Sequence, residues 1–98
     1  MTTFGSRVDR ICKAVAEFYG LSVQDLGSLS RKRLVGEARR VAMHILREST
    51  SMTLPEIGAT FCRHHTTVIY SLGVVERALA NNPFFARDVA IIKTHITQ

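Results

Sequence analysis

Leu54-Pro55-Glu56-Ile57-Gly58-Ala59-Thr60-Phe61-Cys62-Arg63-His64-His65-Thr66-Thr67-Val68-Ile69-Tyr70-Ser71 decides how this 98-residue chain folds. The stretch predicts a short helix, a tight turn and a second helix. Thr53 is placed to cap the first helix, and Glu56 at the third helical position can reach back to it. Pro55 is tolerated because the first turn has free backbone N–H groups anyway. Leu54, Ile57 and Phe61 then face the core, and Gly58 fits a close crossing of two helices. Cys62-Arg63-His64 forms the turn. The second helix runs from about His65 to Leu79, with Val68, Leu72, Val75 and Leu79 as its buried face. At about 100° per residue, Thr66, Tyr70, Gly73 and Arg77 gather on the opposite side, with Thr67 nearby. That places a helix-turn-helix at about residues 53–80.

Working outward, the flanking segments read as further helices. Val8, Ile11, Cys12, Val15 and Phe18 or Tyr19 keep a helical period over residues 6–19. Ser6 is the expected N-cap and Gly20 the C-terminal stop. Ser22 and Asp25 have capping-box spacing around a single turn at residues 23–26, and Gly27, Ser28 and Ser30 break the period after it. Val35, Ala38, Val41, Ala42, Ile45 and Leu46 make one apolar stripe over residues 34–48, and Arg39, Arg40 and Arg47 fall outside it. Asn81-Asn82-Pro83 stops the second helix of the motif. Phe85, Val89, Ile92 and Ile96 mark a last helix at about 84–96, with Phe84-Phe85 read as core. His44 and His95 are expected on helix surfaces. No strand or repeat emerges. The expected fold is all-α, one multi-helix domain over residues 1–98.

Charge narrows the partner. The chain carries a formal +5 at neutral pH. Arg31, Lys32, Arg33, Arg39, Arg40 and Arg47 fall within seventeen positions, opposed there only by Glu37, so the excess sits almost wholly in that segment. A solvated helix face is the plainer reading of such a run, and a polyanion-binding strip is the functional one. No apolar run approaches the roughly 18 residues a membrane span needs. The N-terminus lacks a basic region followed by an apolar one, so no secretory signal is expected. Cys12 and Cys62 have no close-spaced partners, which suits reduced thiols in a cytoplasmic protein better than a disulfide framework.

The central stretch supplies the matching chemistry. In a helix-turn-helix the second helix lies in the major groove with its N-terminal residues on base edges. Free N–H groups and the dipole at that end favour phosphate. Thr66 and Thr67 add hydroxyls, His65 serves either role, and Arg63 reaches a phosphate or a guanine edge. Arg31, Lys32 and Arg33 form an arm suited to an adjacent minor groove. For Tyr70, stacking, a phosphate bond and plain exposure all stay open.

Leu54-Pro55-Glu56-Ile57-Gly58 followed by His65-Thr66-Thr67-Val68 resembles the C-terminal DNA-binding domain of the bacterial replication initiator DnaA. Val15-Ala16-Glu17-Phe18-Tyr19 and Asp25-Leu26 fit the same family, over about residues 8–96. The resemblance implies a Trp-repressor-like helical domain that recognises a short non-palindromic duplex site, the DnaA box. It puts Arg31 at a minor-groove arginine, Arg39, Arg40 and Arg47 at backbone contacts, and His65, Thr66 and Thr67 on the base-reading motif. The departures are specific. The family's turn reads Gly-Gly-Arg-Asp-His-Thr-Thr, whereas here it is one residue shorter and His64, itself a DNA-contact candidate, replaces the acid; an aspartate there accepts from a cytosine amino group and a neutral His64 does so less well, which implies a base preference other than that of the usual box. Glu37-Ala38 replaces Arg-Pro, and Gly73-Val74 replaces Arg-Lys. These 98 residues hold no Gly-x-x-x-x-Gly-Lys-Ser/Thr phosphate loop, which suggests either an excised domain or a small free-standing relative.

Other constellations are weaker. Cys62, His64 and His65 lack zinc-site spacing, so neither a metal nor another cofactor is expected. No nucleophile, base and orienting acid come together, so an enzyme is not expected. The function expected is sequence-specific duplex binding in replication initiation, its regulation or transcription. The alternative is a module that kept the fold but binds a replication or transcription protein, with Ile69 and Val74 as contacts.

Overall fold

A computed structural model describes residues 3–96, with side chains from residue 7 onward. The chain forms α1 (Thr3–Phe18), α2 (Val23–Leu26), α3 (Arg33–Ser49), α4 (Leu54–Thr60), α5 (His65–Asn81) and α6 (Pro83–Ile96), with no strand among the described residues. The sequence places all six, with ends shifted by at most three residues.

Local chemistry fixes several of those ends. Gly20 closes α1 at a left-handed φ of 70°, with Leu21 N–H donating to the Ala16 carbonyl at 2.8 Å. This is the backbone arrangement that favours glycine after a helix. Capping boxes open α2 at Ser22/Asp25 and α4 at Thr53/Glu56. Ser6, by contrast, is not an N-cap. The helix is already formed at Thr3, and a cap needs extended backbone.

The core is built on α3. Val35, Ala38, Val41, Ala42, Ile45 and Leu46 are buried as their stripe predicts, but so are Met43 and His44. His44 is 8% exposed, a correction to its expected surface position. A stripe marks the one face whose residues are apolar, whereas α3 packs against α1, α2, α4 and α5 together. Ile11, Val15, Ile57, Phe61, Val68, Val89 and Ile92 complete the core from the surrounding helices. Between Phe18 and Tyr19, Tyr19 packs inward and Phe18 is 40% exposed.

Phe84 is the other correction. It is 68% exposed, and only Phe85 packs against the core. The Asn82 side-chain oxygen accepts from the N–H groups of Phe84 and Phe85 at 3.0 and 3.1 Å. That cap starts α6 at Pro83 and sets the rotation of its first turn, which leaves Phe84 outward. The Arg87 guanidinium lies over the Phe84 ring, 5.7 Å from its centre. No helix among the described residues is long and apolar enough to cross a membrane.

Candidate nucleic-acid interface

The turn between α4 and α5 is drawn tight by Gly58. Its carbonyl accepts from Arg63 N–H at 2.8 Å and Phe61 N–H at 3.1 Å. A Cβ on Gly58 would lie 2.4 Å from the Arg63 carbonyl oxygen. So the glycine serves an approach of the turn onto its own helix, a closer contact than the helix crossing expected. Phe61, 2% exposed, pins the turn to the core. Cys62 takes the left-handed conformation at φ 57°, which is costly for a residue with a side chain.

His64 then caps α5. Its Nδ1 accepts from Thr66 N–H at 3.2 Å and lies 2.9 Å from the Thr66 hydroxyl oxygen. Its ring rests on that of His65, centres 4.3 Å apart. The Thr67 and Val68 N–H groups turn back to the His64 carbonyl. The start of α5 therefore differs from the open N-terminus that the sequence suggests, because His64 occupies the Thr66 donor. His65, Thr66, Thr67, Ile69 and Tyr70 remain exposed along the first turns, Tyr70 at 67%.

The basic segment divides into two groups. Arg31, Lys32 and Arg33 are exposed, and among the described residues no hydrogen bond or ion pair holds their side chains. Arg39 is half-buried: its Nε donates to the Leu26 carbonyl at 2.6 Å and its Nη2 to the Ser28 carbonyl at 3.0 Å. Burial first, then the guanidiniums of Arg63 and Arg40, pull its pKa below the usual arginine value. Arg63 donates from Nη1 to the Phe61 carbonyl and from Nη2 to that same Ser28 carbonyl, each at 2.8 Å. One carbonyl thus joins the arm at residues 28–33 to both α3 and the helix-turn-helix turn. Arg47 donates one bond to the Met52 carbonyl at 3.0 Å and stays exposed.

Arg40 lies elsewhere. It lines a shallow groove with Glu37, Val74, Val75, Ala78 and Phe85, beside the second half of α5. Glu37 accepts from the Tyr19 hydroxyl at 2.7 Å. Burial and that bond raise the Tyr19 pKa well above the usual phenol value. So the acid that intrudes in the basic segment ties α3 to the residue following α1. Its partner is 18 positions away, beyond the reach of a local pattern. No group of three or more His, Cys, Asp and Glu side chains gathers among the described residues.

Residues 8–75 match the family model described as bacterial dnaA protein helix-turn-helix. The chromosomal replication initiator protein DnaA of Francisella tularensis subsp. tularensis is 37% identical over 93 residues, 94% of this chain and 19% of that protein. DnaA of Methylobacillus flagellatus is 37% identical over 86 residues, 87% of this chain and 18% of that protein. Francisella philomiragia DnaA matches to the same degree as the first, 37% over 93 residues. The chain spans about a fifth of the length of these relatives.

Proposed function

The chain belongs to the bacterial DnaA helix-turn-helix family, and from that premise we propose that it binds double-stranded DNA sequence-specifically, in replication initiation, its regulation or transcription. The observation that carries this is the juxtaposition at the turn. An exposed His65-Thr66-Thr67 helix start and an exposed Arg31-Lys32-Arg33 arm are tied together through one carbonyl, Ser28.

The first turns of α5 enter the major groove, where His65 and the two threonines meet base edges. Arg31, Lys32 and Arg33 follow the backbone into the neighbouring minor groove. Arg47 adds a phosphate contact at its exposed position. Arg39 and Arg63 act chiefly by holding the arm and the turn, since their best donors already face carbonyls. Arg40, set in its groove beside Glu37, is the weakest phosphate contact of the set. The nucleoid is the matching location.

The test is binding to a random duplex library at several salt concentrations. Affinity falls with salt by about 0.9 log unit per log unit of salt for each phosphate neutralised. Replacing Arg31, Lys32 or Arg33 by Ala weakens all duplexes alike and flattens that slope, apart from any base read by the arm. His65→Ala instead reduces discrimination, by about 1–3 kcal/mol for a lost base contact. A folded protein that binds no duplex near physiological salt refutes the reading. It would favour a protein partner on the exposed Ile69 and the half-buried Val74 instead.

A further inference from the structure

We propose that the groove between α3, the second half of α5 and the start of α6 docks a protein segment that presents a large apolar side chain with a carboxylate beside it. This goes beyond the duplex-binding reading and does not depend on it. The starting point is a convergence. Glu37-Ala38 and Gly73-Val74 are the two pairs at which the chain lacks cations of the family pattern, and they are far apart in sequence. The fold nonetheless brings Glu37 and Val74 to the lining of one groove. An acid and an aliphatic side chain there repel phosphate and suit a protein surface instead.

The chemistry of the groove defines its occupant. The floor is apolar: Val74, Ala78 and Phe85 are half-buried, and Val75 beneath them is 2% exposed. Covering that floor takes apolar surface out of water. At the rim, acceptors are engaged and donors are free. Glu37 Oε2 accepts from the Tyr19 hydroxyl at 2.7 Å. Asn82 Oδ1 accepts from the Phe84 and Phe85 N–H groups, which leaves its amide nitrogen to donate outward. The Arg40 guanidinium folds back beside Gly36 and, among the described residues, makes no hydrogen bond or ion pair. A planar fork of donors with no partner fits a carboxylate in two-pronged fashion. The floor alone would accept any apolar side chain, and Arg40 alone any acid; side by side they select a segment that carries both. Val74 lies about 14 Å along α5 from its first residue, at about 1.5 Å per residue. An occupant of the groove therefore leaves the first turns of that helix free.

The test is selection from a phage-displayed random peptide library on the folded 98-residue chain. The enriched peptide is then synthesised and titrated by fluorescence anisotropy, with no nucleic acid present. The expected consensus pairs a leucine, phenylalanine or tryptophan with an aspartate or glutamate at a fixed offset. Backbone amide shifts on titration gather around residues 37, 40, 74, 78 and 85. Arg40→Ala weakens the peptide about tenfold, as loss of a charge-assisted pair does. Arg40→Lys keeps the charge without the fork and recovers only part of that loss. Val74→Lys, checked as folded by circular dichroism, removes the apolar floor and weakens the peptide at least as much, without lowering duplex affinity.

Selection repeated on Arg40→Glu exchanges the acidic residue of the consensus for a basic one. A selection that enriches nothing overturns the proposal, as does a consensus without an acid or a peptide whose shifts lie elsewhere on the fold. An enriched peptide indifferent to Arg40→Ala does the same. Failure of duplex binding would leave these outcomes as they stand.

Discussion

Gly58→Ala is the sharpest test of how the turn is held. The added Cβ would sit 2.4 Å from the Arg63 carbonyl oxygen and 3.4 Å from its carbonyl carbon. The neighbour is backbone, and the Arg63 N–H is itself bonded to the Gly58 carbonyl at 2.8 Å, so it cannot swing aside alone. Overpacking a rigid site costs about 1–3 kcal/mol, and an immovable partner puts this one near 3. Alanine regains about 1 kcal/mol through helix propensity and a less flexible unfolded chain. The net loss is therefore ~2 kcal/mol. For a domain of this size each kcal/mol moves the melting temperature by about 4–8 °C, so the variant melts about 8–16 °C lower by far-UV circular dichroism. Gly36→Ala on α3 is the control. Its nearest neighbour is the flexible end of Arg40 at 3.4 Å, so there the propensity gain of about 1 kcal/mol prevails. If Gly58→Ala melts at or above the wild-type temperature, the close approach of turn and helix is wrong.

Cys62→Gly relieves a left-handed backbone at φ 57° that costs a side-chain-bearing residue about 1–2 kcal/mol. The more flexible unfolded chain takes back about 0.4–1 kcal/mol, so the urea midpoint rises by the equivalent of ~0.5–1 kcal/mol; an unchanged or lower midpoint contradicts the strain. His44 introduces a pH dependence. Burial, aided by Lys93, lowers its pKa against the opposing pull of Glu48 and Glu76. The unfolded chain therefore takes up the proton first. The contribution is complete above about pH 6.5 and is lost as pH falls through the lower folded value, at no more than about 1.4 kcal/mol per pH unit. His44→Met removes that part of the slope in urea midpoints taken from pH 8 to pH 5, and parallel slopes for the two proteins refute it.

The turn and its caps were legible because their determinants are local. Thr53 to Glu56 and Ser22 to Asp25 each lie within a single turn, and both boxes form. The apolar stripes likewise placed the helices. What the sequence hid are partners set by packing. The Ser28 carbonyl lies 11 residues from Arg39 and 35 from Arg63, so periodicity shows two arginines outside a stripe and nothing of what occupies them. His44 follows the same logic, since the period identifies an apolar face but not how many neighbours crowd a central helix. At the candidate site, the exposure of residues 65–67 and Tyr70 followed from the helical period. The role of His64 as a cap did not, because histidine is not among the usual capping residues.

The shared Ser28 carbonyl has an entropic side. Basic arms that read the minor groove are often loose until DNA arrives, and fixing one residue's backbone then opposes binding by about 1–2 kcal/mol. Here the base of the arm is already fastened before any ligand is present, by two guanidiniums and by the Ser28 hydroxyl on the Asp25 carbonyl at 2.8 Å. In the duplex binding proposed above, little ordering remains to oppose association at that end. The arm then behaves as a preorganised prong, and its contribution to affinity depends on contacts made more than on freedom lost.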